Sequence, residues 1–479
     1  MTIRRTAVTL LLLMGVLGGW LSYQQTVAAS DHRNDVRNPR ALEERTLRPR
    51  GSILTADGVV VAESRPAGRR FLRVYPEAGR YAHTVGYSSL VLGETGVEAI
   101  RAADLVSDDD GSLRSLLIET LGGSLAPHDV RLTLRDDLQR AAAEALGGQV
   151  GAVVALDPST GAILAMVTSP TFDPNTLLGP GAIEAGEALN ADPERPLIDR
   201  TRSDFYAPGS TFKLIVSSAG LTTGFVTPET LLPDTDLLEL PGSTATIANA
   251  DGGFCGDGDT VTFERALVIS CNTAFAELGM QLGADALLEA AEDAGFNEAI
   301  PFDLPVVESY FPADLGDDLP ATAQSAIGGR DVRASALHMA LIAAAIGNGG
   351  VAMTPYLVDA VLDEDGAVVE WAEPTVWRRT MPTDDAATLT AMMEKVVSEG
   401  TGWRAQIPGL AMAGKTGTAE VPGDAPDVWF VGFAPADDPG IAVAVLVEGG
   451  GELGEDGSGG SVAAPIARAV VEAWSRSQN

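Results

Sequence analysis

The stretch Tyr206-Ala207-Pro208-Gly209-Ser210-Thr211-Phe212-Lys213-Leu214-Ile215-Val216 sets a hydroxyl and an amine three residues apart. Pro208 and Gly209 break whatever precedes them, and Leu214, Ile215 and Val216 begin an apolar run that Gly220 and Gly224 can end. The spacing therefore predicts a helix with Ser210 at its N-terminus. Residues i and i+3 share a helix face, which brings the Lys213 amine over the Ser210 hydroxyl. That pairing could supply a serine nucleophile with a lysine base one turn away.

Lysine usage strengthens this reading. Of the 32 basic residues only Lys213, Lys395 and Lys415 are lysines; all the others are arginine. Arginine keeps its proton in a protein, whereas a desolvated lysine can be brought toward neutral pH and act as a base. Lys395, within Met392-Met393-Glu394-Lys395-Val396, reads as an ordinary surface lysine.

Two further motifs follow in order, Ser270-Cys271-Asn272 and Lys415-Thr416-Gly417-Thr418. With Ser210-Thr211-Phe212-Lys213 they make up the set carried by penicillin-recognising serine enzymes. Ser-x-Asn is weak alone, since it recurs in the tail at Ser477-Gln478-Asn479. Ser270 falls at a break between the apolar run 263–269 and a helical pattern over 273–282, where side chains can point into a cleft. Lys415 to Thr418 reads as a strand. Gly417 has no side chain to block an extended substrate there, and the Thr416 and Thr418 hydroxyls can hold a carboxylate.

At 479 residues and 45% hydrophobic, the chain can bury a large core in two or more domains. Its formal net charge of −34 argues against a nucleic-acid partner. The four histidines are scattered and no Cys/His cluster has zinc spacing, so no metal is expected. Cys255 and Cys271, 16 apart, could pair in an oxidising compartment or remain buried thiols; spacing leaves both open. Arg4-Arg5 precede a nearly uncharged run, 7–21, with Trp20 and Tyr23 suited to a membrane interface. This reads as a single membrane helix that places the rest of the chain outside the cytoplasm. Cleavage near Val27-Ala28-Ala29 and secretion is the alternative.

Residues 31–49 read as a polar tether, and 50–62 as two short strands around an Asp57-Gly58 turn. A strand over 130–134, a helix over 136–146 stopped by Gly147-Gly148, and a hairpin of 151–156 with 162–167 come next. Three more strands, 413–421, 428–434 and 441–447, lie near the other end. The acidic, glycine-rich 448–460 reads as flexible solvent-facing chain, followed by a terminal helix over 462–474. The middle, about 200–400, is mostly helical in pattern. Strands from both ends joined by short turns imply an antiparallel sheet and an α+β domain rather than a doubly wound nucleotide fold.

With those residues in view, the chain resembles the class B penicillin-binding proteins, the membrane-anchored D,D-transpeptidases of cell-wall synthesis. Arg50-Gly51-x-Ile53, Gly93-x-x-Gly96-Val97-Glu98, Asp157-Pro158-x-Thr160-Gly161, the stretch 169–175, Ala207-Pro208-Gly209 and Trp429-Phe430 all look like stretches of that family. The short front module, with Phe71-Leu72-Arg73-Val74-Tyr75-Pro76, looks most like the penicillin-binding protein A group of high-GC Gram-positive bacteria. Thr55-Ala56-Asp57-Gly58 and Gly328-Gly329-Arg330 depart from the family pattern and leave the three motifs intact.

The resemblance implies an organisation in three parts: a cytoplasmic stub and transmembrane anchor over 1–30, a non-catalytic pedestal module over 31–130, and over 131–479 a penicillin-binding, β-lactamase-like transpeptidase domain built on a five-stranded antiparallel sheet flanked by helices. It also implies roles. Ser210 would attack the penultimate D-Ala carbonyl of a stem peptide, Lys213 would take its proton, and Ser270 would relay protons to the leaving amine. Lys415 would help keep Lys213 neutral, Asn272 would hold the substrate amide, and Thr416 and Thr418 its carboxylate. Backbone N–H groups of Ser210 and Thr418 would form the oxyanion hole. No cofactor is implied. β-Lactams would inhibit, and a membrane glycosyltransferase of the shape-elongation-division type would be the partner. Two other readings use the same motifs: a β-lactamase or carboxypeptidase, in which water resolves the acyl-enzyme, and a non-catalytic β-lactam or muropeptide receptor.

Overall fold

The computed structural model describes residues 2–26, 46–106, 120, 125–250 and 252–478. The tether expected over 31–49 falls largely outside them, as does the candidate cleavage site at Val27-Ala28-Ala29.

Helix α1, Thr2–Thr26, presents exposed apolar side chains, among them Leu11, Met14 and Val16. Among the described residues no helix is long and apolar enough to cross a membrane. The membrane helix read from the N-terminal run is therefore not borne out by the fold itself.

The front of the chain builds four strands of a six-stranded sheet. Strands β1 (Ile53–Leu54), β2 (Val60–Ala67) and β3 (Arg70–Val74) run antiparallel in succession, with the expected Asp57-Gly58 turn between the first two. β4, Asp129–Leu132, pairs parallel with β1. The other two come from far along the chain. β7 (Val358–Leu362) pairs with β4, and β8 (Val368–Trp371) closes that edge. The division expected at 130/131 thus lies inside a strand hydrogen-bonded on both sides. The Arg50 and Glu98 stretches explain each other here: the buried Glu98 carboxylate takes Arg50 Nε at 2.6 Å, Arg73 Nε at 2.5 Å and the Tyr75 hydroxyl at 3.0 Å. A buried carboxylate is tolerable only with such partners.

The second sheet carries the motifs. β5 (Gly151–Leu156), β6 (Ile163–Ser169), β9 (Ala413–Val421), β10 (Asp424–Ala434) and β11 (Ile441–Val447) form a five-stranded antiparallel sheet in the order β9-β10-β11-β5-β6. β5 and β11 are buried throughout, so they read as continuous apolar runs instead of alternating ones. α2 (Asp136–Leu146) and α8 (Ala464–Ser477) cover one face. The first has Asp136 and Asp137 in its first turn, where the helix dipole favours them, and stops at Gly147 in the left-handed region, φ 64°. α6 (Ala336–Gly347), apolar on nearly every side and capped by Ser335, lies on the other face as a fully buried helix.

The middle departs from its helical reading. Besides α3 (Lys213–Thr222), α4 (Phe263–Val268), α5 (Asn272–Leu282) and α7 (Thr383–Glu399), it contains short antiparallel pairs such as Leu231–Pro233 with Thr260–Thr262 and Val351–Met353 with Val376–Arg379. Each of these strands is three or four residues long, with at most one buried residue. That is too short to show a period-two pattern.

Candidate active site

Ser210 sits in a 3-10 turn, Gly209–Phe212, and the α-helix proper begins at Lys213. Gly209 occupies the left-handed region at φ 51°, and a Cβ there would lie 2.6 Å from Thr418 O. Its N–H donates to Gly328 O at 3.1 Å. The Pro-Gly break therefore starts the helix and also lets the Ser210 turn close directly onto the edge strand β9. Gly417 makes the reciprocal fit, since a Cβ there would meet Pro208 O and Thr211 Cγ2 at 2.9 Å. Trp429 Nε1 donates to Ala207 O at 3.0 Å, fixing the turn from the next strand.

The second motif lies in the link between α4 and α5. Ser270 adopts φ 64°, unusual for a residue with a side chain, and its carbonyl and hydroxyl both face the lysines. α5 begins at Asn272, and its first N–H groups are capped from a distance: Asn249 Oδ1 accepts from Asn272 N at 2.9 Å and Thr273 N at 3.1 Å. Cys255 and Cys271 are joined as a disulfide, so the middle residue of the motif is tied to the loop that also carries Asn249. Asp234 holds that loop by accepting from the N–H groups of Cys255, Gly256 and Gly258.

The structure brings the three motifs together around one hydroxyl. Lys213 Nζ donates to Ser270 O at 2.7 Å and Asn272 Oδ1 at 2.8 Å, with Ser270 Oγ at 3.3 Å. Lys415 Nζ donates to the same Ser270 Oγ at 2.8 Å and to Thr416 O at 2.9 Å. Asn272 is oriented by its amide, which donates to Ala248 O at 3.0 Å and so turns its oxygen to Lys213. Both lysines are fully buried. Burial, and secondarily the Lys415 charge, holds Lys213 well below the ordinary lysine value, and burial alone brings Lys415 down to about 7. Among the described residues neither lysine has a carboxylate among its hydrogen-bond partners; the third lysine, Lys395, bonds Glu264 at 2.7 Å on the surface, as its sequence context suggests.

A neutral amine has two N–H donors and one lone pair. In Lys213 the two short bonds, to Ser270 O and Asn272 Oδ1, can use both donors, which leaves the lone pair free. Ser210, half-buried one turn earlier, lies on the helix face from which a proton could reach it. Thr416 is buried with its hydroxyl 2.6 Å from that of Thr401, while Thr418 is exposed and its Oγ1 takes the Gly459 N–H at 3.4 Å. Since β9 is the outer strand of its sheet, its free edge is open to an extended chain.

One segment is corrected outright. The 448–460 loop is folded onto the site, not loose in solvent. Gly450, Gly457 and Gly459 are buried, and a Cβ at Gly459 would lie 2.2 Å from Trp429 O and 2.5 Å from Gly417 O. Of its glycines, read as a sign of flexibility, Gly457, Gly459 and Gly460 are where backbone passes backbone at contact distance. Glu448, Asn249 and Thr401 went unnoticed in the sequence. Nothing in their local pattern sets them apart, because each acts on a partner far away in the chain.

A serine at the head of a buried helix, a lysine-flanked Ser-x-Asn turn and an edge strand with Lys-Thr-Gly, mounted on this five-stranded sheet, define a penicillin-interacting serine acyltransferase. The chain belongs to the penicillin-binding protein transpeptidase family. The model of the penicillin binding protein transpeptidase domain matches residues 151–472, and that of the penicillin binding protein A dimerisation domain matches residues 50–126. Among its relatives, the peptidoglycan D,D-transpeptidase PbpA of Mycolicibacterium smegmatis is 40% identical over 488 residues, 98% of each chain. The PbpA of Mycobacterium tuberculosis is 40% identical over 497 residues, again 98% of each. Among solved structures, penicillin-binding protein A from M. tuberculosis in its ceftriaxone acyl-enzyme complex matches with TM-score 0.85 at 39% identity, over 90% of this chain and 99% of that one. The D,D-transpeptidase domain from Eggerthella lenta matches with TM-score 0.79 at 35% identity, over 90% and 99%.

Proposed function

We propose that this chain is a peptidoglycan D,D-transpeptidase that crosslinks stem peptides through an acyl-enzyme on Ser210. The observation that carries the reading is the Ser270 hydroxyl held between two buried lysines beside the Ser210 turn.

In this reading the Ser210 Oγ–H gives its proton to the Lys213 lone pair as Oγ attacks the carbonyl carbon of the penultimate D-Ala. The oxyanion is met by the Ser210 and Thr418 N–H groups. The tetrahedral intermediate expels the terminal D-Ala, whose nitrogen takes a proton passed from Lys213 through Ser270. Asn272 holds the donor amide and Thr416 and Thr418 its carboxylate. Lys415 adds positive charge that favours neutral Lys213 and attracts that carboxylate. The amine of a second stem peptide then attacks the ester and restores Ser210. β-Lactams acylate the same serine and stop there.

Location and assembly follow the same reading. Residues 1–30, with Arg4-Arg5 and the exposed apolar face of α1, anchor the chain in the cell membrane, residues 31–130 form a pedestal, and 131–479 work outside the cytoplasm. A membrane glycosyltransferase of the shape-elongation-division type supplies the glycan strands. Labelled penicillin followed over hours tests the reading: a stable adduct supports it, and rapid release by water supports a β-lactamase instead. Membrane fractionation of the full chain tests the anchor.

A further inference from the structure

The carboxylate of Glu448, the first residue after β11, reaches back to the chain that enters the Ser210 turn. Its Oε1 accepts from the Tyr206 hydroxyl at 2.7 Å and from Arg200 Nε at 2.6 Å. Arg200 is fully buried, and its remaining donors go to the carbonyls of Glu194 and Arg195. Tyr206 stands four residues before Ser210, paired through its backbone with Ala334 and set edge-on to Trp429, ring centres 6.3 Å apart. Burial and the Glu448 charge raise the Tyr206 phenol, so it serves as a permanent donor.

From the same residue the 448–460 loop turns over β9 and β10. Gly449 N–H donates to Asp427 at 3.2 Å, and Gly459, wedged against Gly417 and Trp429, donates to the Thr418 hydroxyl. One carboxylate thus joins the strand leading to Ser210 with the loop that bears on Thr418. Those two residues are the ones whose N–H groups must converge on a single oxygen.

We propose that Glu448 is a positioning residue for acylation, acting through Tyr206 to set the spacing between the Ser210 turn and the Thr418 end of the Lys-Thr-Gly strand. The inference rests on Ser210 being the acylated residue. Oxyanion donors tolerate little displacement, and a shift of about 1 Å can lower a rate by up to about a hundredfold. Losing one hydrogen bond that aligns them is expected to lower acylation by about five- to tenfold.

The test is stopped-flow acylation of the purified protein by a fluorescent penicillin, resolved into reversible binding and bond formation, with wild-type labelling at Ser210 established first. Tyr206→Phe removes one hydroxyl and leaves the Arg200–Glu448 ion pair. It should slow bond formation about five- to tenfold, leave reversible binding within about twofold, and hardly move the melting temperature. Adding Glu448→Gln also takes the charge partner from buried Arg200 and so should lower the melting temperature, yet it should bring no further loss of bond formation, because toward the Ser210 turn both changes break the same link. Should that double variant not fold, Tyr206→Phe decides alone. Bond formation within twofold of wild type in Tyr206→Phe, or a loss confined to reversible binding, would overturn the proposal. An unlabelled wild type would instead overturn the assignment of Ser210.

Discussion

Lys213 and Lys415 share the hydroxyl of Ser270, at 3.3 and 2.8 Å, and neither amine has a carboxylate among its hydrogen-bond partners. In this dry site the charge of Lys415 adds to burial in making Lys213 easier to deprotonate, while burial alone lowers Lys415. The consequence is an amine held well below the ordinary lysine value, toward the neutral form, beside a second brought down to about 7.

Acylation by a carboxylate-bearing penicillin should therefore follow a bell. A lysine is a base only above its pKa, so the rate rises from acid pH as Lys213 loses its proton. It falls as pH passes about 7, where Lys415 in the free enzyme loses the charge that attracts the carboxylate. Second-order acylation constants measured between pH 4 and 10 check this, and a rate still climbing at the alkaline end contradicts it.

Asn272→Asp should be more damaging than its size suggests. It places a carboxylate where an amide oxygen now sits 2.8 Å from Lys213 Nζ. The new charge holds Lys213 protonated and occupies its lone pair, so acylation at neutral pH should drop about a hundredfold, with the rising limb of the pH profile moved upward. A loss without that displacement would mean Asn272 acts only on substrate.

Gly417→Ala tests the contact between β9 and the Ser210 turn. The added methyl meets Pro208 O and Thr211 Cγ2 at 2.9 Å, with backbone on one side and a buried side chain on the other. Acylation should fall at least about tenfold while circular dichroism stays native. Unchanged acylation would show that the turn and strand have slack.

Burying two lysines should weaken the fold. With their folded values depressed, the unfolded chain binds more protons between each folded value and 10.5, so stability rises with pH over that window and is level below it; for Lys415 the window opens at about 7. Lys213→Met, which fills similar volume without the amine, should raise stability by about 1–2 kcal/mol at pH 7 in urea titrations while abolishing acylation. A less stable variant would mean the amine's hydrogen bonds outweigh its desolvation.

Much of the fold was readable because its signals are local. α2 runs from Asp136 to Leu146 as its apolar spacing and the Gly147 stop indicate, and β5 and β11, inside the large sheet, announce themselves by apolar runs flanked by Gly and Pro. The three motifs were readable because lysine is so scarce. Three things were not. The pairing of β7 with β4 joins residues more than two hundred apart, a partnership no local pattern encodes. Asn249 caps a helix that starts 23 residues later, and caps are looked for next to the helix they serve. Gly457, Gly459 and Gly460 mark close backbone contact, which composition cannot tell from flexibility.

The central claim is that Ser210 becomes an ester. Intact-mass measurement of the purified chain after penicillin G, followed by peptide mapping, tests it most directly. One adduct of the antibiotic's full mass, stable over hours, is expected on the peptide holding Ser210, and none on Ser210→Ala. An adduct on another residue, or labelling that persists in Ser210→Ala, would contradict it.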